Sequence, residues 1–219
     1  MKNAIITTCA LVATVALASE PAVPSEVQAE LRGIAGKYLK AQLVNPRPYM
    51  APTQCSIPPT AVLYSDADSD KEHGRKLFYL FAGNAMTLRA KETVKAQPAG
   101  QYLVKETWEA VDADDAEKRT TGRHASGHFL SNTAVHKGKT VAIGKPMDLY
   151  IMLKQDEVTE DNDEGWIYAV VSRDAKTIHK AGRIQSCIDC HEDADHDRIL
   201  GDYSAKEPTF KDVPKSGDR

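Results

Sequence analysis

"GQYLVKETWEAV", residues 100–111, decides how the rest of the chain is read. Tyr102, Val104 and Trp108 alternate with Leu103, Lys105 and Thr107, which is the period of a strand with two distinct faces. Downstream, "TVAIG" (140–144), "DLYIMLK" (148–154) and "GWIYAVVSRD" (165–174) read as further strands separated by charged turns. Upstream, "LFYLFAG" (77–83) is a buried strand and "NAMTLRAKETVKAQ" (84–97) a helix capped by Asn84. Several strands without alternating helices predict an α+β fold, with an antiparallel β-sheet core and flanking helices.

Further out, "SEVQAELRGIAGKYLKAQL" (25–43) places Val27, Leu31, Ile34 and Tyr38 at helical spacing, and Ser25 with Gln28 fits a capping box. Gly33 and Gly36 weaken that helix on propensity. "NPRPYMAPTQCSIPP" (45–59) carries five prolines, which excludes helix and interior strand. No internal repeat is found.

Composition bounds the function. The chain has 219 residues, 42% apolar and 27% charged, with a net charge of −3. That is the balance of a globular protein, with no basic footprint for nucleic acid. The first 18 residues join Lys2 to "AIITTCALVATVALA" and end in Ala16-Leu17-Ala18. A positive start, a short apolar run and an A-x-A site predict a signal peptide and export to the periplasm. The expected organisation is therefore a signal peptide at 1–18, a helix and proline-rich segment at 19–59, a main domain at 60–203, and a disordered tail at 204–219. Cys9 leaves with the signal peptide, so Cys55, Cys187 and Cys190 remain.

"RIQSCIDCHEDADHDR", residues 183–198, carries the chemistry. Cys-x-x-Cys-His is the attachment signature of c-type haem. Two thiols add across the vinyl groups on one porphyrin edge, and the next residue then lies under the iron. Cys187 and Cys190 are the expected thioether anchors, His191 the proximal iron ligand, and one covalently bound c-type haem the expected cofactor. A dithiol redox motif usually sits near a βαβ pattern, and a structural zinc site needs a second ligand pair. Neither is visible. After His191 there is no methionine, and His196 lies too close to reach the opposite haem face easily, so an open sixth position is expected.

The segments at 98–110, 163–174 and 181–203, and more loosely "HGRKLFYLFAG" at 73–83, resemble the cytochrome P-460 family. What makes the match specific is the pentapeptide following a V-K-E strand and a G-W-x-Y-A-V strand. The resemblance implies an exported, usually dimeric protein whose best known activity is oxidation of hydroxylamine at a five-coordinate haem. It also implies that Lys105, in "LVKETW", is joined covalently to the porphyrin edge. The related β-sheet cytochromes c-prime share the fold, lack the cross-link and bind nitric oxide. The partners expected are thus a small nitrogen-containing ligand or substrate, an external electron acceptor and a second copy of the chain.

Other polar residues receive plainer readings. Glu106 and Glu164 are expected to be solvated charges before bases. His124 and His128 are read in a polar loop, and His73, His136 and His179 at the surface. "DADSDKEHG" (from Asp66) and "DEVTEDNDEGW" (from Asp156) lack the ligand spacing of calcium loops and read as solvated turns.

Overall fold

A computed structural model describes residues 23–45, 47–50, 76–90, 93–112, 121–136, 139–192, 194 and 196–200. The expected signal peptide, the part of the proline-rich segment that holds Cys55, His73, the first acidic turn and the expected tail lie outside them. In chain order the elements are α1 (Ser25–Lys37), a 3₁₀ turn (Tyr38–Lys40), β1 (Gln42–Leu43), β2 (Tyr49–Met50), β3 (Lys76–Ala82), α2 (Ala85–Arg89) and β4 (Tyr102–Asp112). They continue with β5 (Thr121–Arg123), β6 (Phe129–Ser131), β7 (Thr133–His136), β8 (Lys139–Lys154), β9 (Trp166–Val171), β10 (Ile178–Gly182) and α3 (Gln185–His191).

An eight-stranded sheet runs β1-β3-β4-β8-β9-β10, with β2 on β3 and β7 on β8, while β5 and β6 form a separate hairpin. Every pairing is antiparallel, as a chain without βαβ units requires. Period-two alternation then creates two buried faces. On the first, Tyr79, Phe81, Val104, Leu149, Ile151 and Val171 pack against Val27, Leu31 and Ile34 of α1. On the second, Phe78, Leu80, Leu103, Met152, Trp166 and Tyr168 pack against Leu88 of α2 and Ile188 of α3. β3 is buried along its whole length because both faces are covered.

Four local readings change. The Ser25–Gln28 capping box does not form, because Pro24 takes the cap position and Ser25 already lies in the helix. The Gln28 amide reaches back to the Val23 carbonyl at 3.1 Å instead. Helix α1 also ends at Lys37. Asn84 does cap α2, accepting from the Met86 N–H at 3.0 Å, but that helix stops at Arg89. Finally, "TVAIG" and "DLYIMLK" belong to one strand. Pro146 sits opposite Trp108, where the β4–β8 register shifts. A proline donates nothing to the ladder, so an irregularity absorbs it and the strand continues. Gly144 permits the close approach there, since a Cβ would lie 2.8 Å from Val111 Cγ1.

Candidate functional site

Helix α3 presents the pentapeptide. Its helical spacing puts Cys187, Cys190 and His191 on adjacent rows of one side. Ile188 seats the helix in the second-face core, and Cys190 and His191 are buried while Cys187 is half-buried. His191 Nδ1 lies 2.6 Å from the Arg198 carbonyl oxygen. A carbonyl has no proton to give, so Nδ1 donates, and in the neutral ring the lone pair belongs to Nε2. That is the tautomer a metal-ligating imidazole holds through a second partner. The Tyr168 ring packs 5.4 Å from the His191 ring, and its hydroxyl donates to Asp163 Oδ2 at 2.9 Å. Burial and the Asp163 carboxylate push the Tyr168 phenol far above its ordinary range.

Lys105 belongs to this face. It stands opposite Leu80 on β3 and Tyr150 on β8, with Nζ 5.2 Å from the Phe78 ring centroid. Burial lowers its pKa, while the negative charge of an ionised Cys187 pulls the other way. The structure thus answers what alternation left open: the Lys105 face of β4 is the one that meets α3. Two residues missed from sequence share it. Lys76 is 4% exposed and its Nζ donates to Tyr150 Oη at 3.0 Å. The only sequence signal for Lys76 was its phase with Phe78 and Leu80.

Glu106 corrects the sequence reading. It is neither solvated nor near α3, but 1% exposed on the first face. Tyr38 Oη donates to it at 2.8 Å, Arg173 Nη1 at 2.6 Å, and His124 Nε2 contacts it at 2.8 Å. Burial alone would raise its pKa, but the hydrogen bonds and charges of His124 and Arg173, with the Tyr38 hydroxyl, hold it below the ordinary carboxylate range. His124 does lie in the loop between β5 and β6, yet its side chain is only 8% exposed and stacks on Phe81. Glu164 and His179 are surface residues as expected, with side chains 66% and 46% exposed. His196 is buried beside Gln97, 3.2 Å from its amide nitrogen. Among the described residues no cluster of His, Cys, Asp and Glu forms a separate metal site.

The donor set can be compared with what a covalent haem requires. Cys187 keeps a thiol, and the His191 tautomer is set for ligation through Nε2. Cys190 is disulfide-bonded. A sulfur in a disulfide cannot add to a vinyl group, so Cys190 serves as an anchor only in its reduced form. With that reduction the order, spacing and tautomer of the three residues fit the group.

The model of the Cytochrome P460 family matches residues 60–200, well over half of the chain. No curated protein matches it.

Proposed function

The chain belongs to the cytochrome P460 family, whose members are c-type haem proteins, and on that premise we propose that it oxidises hydroxylamine or a similar small nitrogen compound. Cys187 and Cys190 tie the haem, His191 ligates its iron, and Lys105 forms a third link to the macrocycle. Held by Cys187, Cys190 and His191, the haem would supply redox chemistry, with the nitrogen compound as electron donor and an external partner as acceptor. The chain's own residues hold, orient and shield it. The protein works after export to the periplasm, as a homodimer.

One observation carries this reading. Lys105 and the C-x-x-C-H helix, distant in sequence, meet on one sheet face, where Phe78, against whose ring Lys105 Nζ lies, belongs to the same apolar cluster as Ile188 and Cys187. Burial also favours the neutral amine, which is the nucleophilic form a bond to a porphyrin edge requires. A lysine serving only as a solvated charge would have no reason to lie here. The apolar neighbours of Lys105, Phe78 and Leu80 among them, favour a second reading, reversible binding of nitric oxide in the same place.

The absorption spectrum of reduced protein, produced in a host that attaches c-type haem, separates the two. A red-shifted, broadened Soret band that becomes an ordinary high-spin c-type band in Lys105→Ala, with hydroxylamine oxidation lost, is the expected result. An ordinary band in the unaltered protein would refute the cross-link and make nitric oxide the first ligand to titrate.

A further inference from the structure

The segment that follows α3 does more than close the chain. Asp197 and Arg198 both adopt left-handed backbone conformations, with φ of +42° and +63°. Residues other than glycine keep such conformations only where their surroundings enforce them, and they concentrate at functional sites. Here the enforcement is visible. Asp197 Oδ1 accepts from Lys154 Nζ at 2.8 Å and Trp166 Nε1 at 3.3 Å. Its Oδ2 accepts from the Gln97 N–H at 2.6 Å, and its carbonyl from Trp166 Nε1 at 3.0 Å. Next door, Arg198 Nη2 pairs with Asp163 Oδ1 at 3.1 Å and Glu164 Oε1 at 3.2 Å, and Nη1 donates to the Glu192 carbonyl at 2.9 Å. Asp163 is itself 2% exposed and held by the Tyr168 hydroxyl.

Attachment chemistry does not call for any of this. Thioether formation uses only the cysteines, and ligation only the imidazole. What the strained pair accomplishes is to aim one carbonyl, that of Arg198, at His191 Nδ1. We propose that Arg198, seated by Asp163 and Asp197, is a positioning residue that fixes the His191 ring and strengthens its donation to iron. The proposal rests on the haem reading above. A hydrogen bond from Nδ1 to a well-placed acceptor raises the basicity of Nε2. A more basic axial ligand favours ferric iron and lowers the reduction potential.

The test uses holoprotein carrying covalent haem, with Arg198→Ala and Arg198→Lys. Spectroelectrochemical titration reads the midpoint potential, and resonance Raman of the ferrous state reads the iron–histidine stretch. In Arg198→Ala the potential rises and the stretch moves to lower frequency, and Arg198→Lys recovers part of both shifts. The direction is diagnostic, because losing a positive charge near the iron would by itself lower the potential. An unchanged or lowered potential in Arg198→Ala, with the stretch unmoved, overturns the proposal. Should Arg198→Ala yield no holoprotein, Asp163→Asn loosens the same guanidinium from a distant part of the chain. The iron–histidine stretch is the readout there, since losing the Asp163 charge would by itself raise the potential; a smaller shift to lower frequency is expected, and an unmoved stretch overturns the proposal. If the unaltered protein yields no covalent haem in alkaline pyridine, the haem reading falls and this proposal with it. Covalent haem with an indifferent Arg198 removes only the proposal.

Discussion

Replacing Glu106 by Gln should cost stability and leave the haem chemistry in place. The carboxylate is almost fully buried and bonded to Tyr38, His124 and Arg173. Gln keeps the shape, removes the charge and turns one acceptor into a donor facing other donors. Breaking a buried ion pair by altering one partner costs about 3–5 kcal/mol. Arg173 is a quarter exposed and can recover some hydration, so the lower end, about 3 kcal/mol, is the better figure. With a urea m-value of about 2–3 kcal/mol/M for a protein of this size, the unfolding midpoint should fall by roughly 1–1.5 M at unchanged m. A pH series adds a signed check. The folded pKa of Glu106 lies below its unfolded value, so its contribution is present above the unfolded value, about 4.3. It is lost as pH falls through the folded one. Glu106→Gln should therefore flatten the loss of stability below about pH 4.3. A midpoint within about 0.3 M of the unaltered protein would show that the cluster contributes little. Loss of haem chemistry at full stability would place Glu106 at the site and refute the two-face assignment.

Other substitutions probe separate links. Lys105→Ala, which removes the proposed third tether, should keep covalent haem through the cysteines, and a pyridine haemochrome assay should report an unchanged haem-to-protein ratio. Gly83→Ala would put a Cβ 2.7 Å from the Tyr102 ring, and overpacking of that kind costs about 1–3 kcal/mol, read as a lower melting temperature. Asn162→Ala would remove a buried side chain that accepts from the Thr159 and Gly165 N–H groups and donates to the Glu157 carbonyl and the Thr159 hydroxyl. With each bond worth about 0.5–1.5 kcal/mol net, a loss of about 3 kcal/mol in chemical denaturation is expected.

Much of the fold was legible because one period governs it. The alternation along residues 100–111 correctly separated Leu103 and Lys105 from Val104, and Asn84 announced its cap. What failed were places where tertiary contacts override a local signal. The stretch Lys145-Pro146-Met147 read as a turn, yet pairing with β4 carries the strand through it. The run at 123–139 offers few apolar residues, so β5, β6 and β7 were not read as strands. They form because Leu130 and His124 dock onto the first face. The attachment residues were legible because their chemistry dictates contiguous spacing. Arg198, Asp163 and Tyr168 were not, because they reach His191 only through the folded chain.

The adjacency of Lys105 and Glu106 explains how the two faces of one strand fix the site. Consecutive strand residues point to opposite faces, so one backbone unit carries a reactive amine on one side and a buried carboxylate on the other. The carboxylate gathers the segment after α1, the β5–β6 loop and the β9–β10 connection, through partners 68, 18 and 67 positions away. Those ties fix the register of β4 where Lys105 departs from it. A shift by one residue would exchange the two side chains, burying the ammonium in the Tyr38–Arg173 cluster and facing the carboxylate toward Cys187. The first outcome would bury the Lys105 ammonium beside the Arg173 guanidinium, and the second would leave the Glu106 carboxylate among apolar side chains without its present partners. The polar cluster on the far face thereby excludes the alternative register, and the position of Lys105 is set as much by what lies behind the sheet as by the helix in front of it.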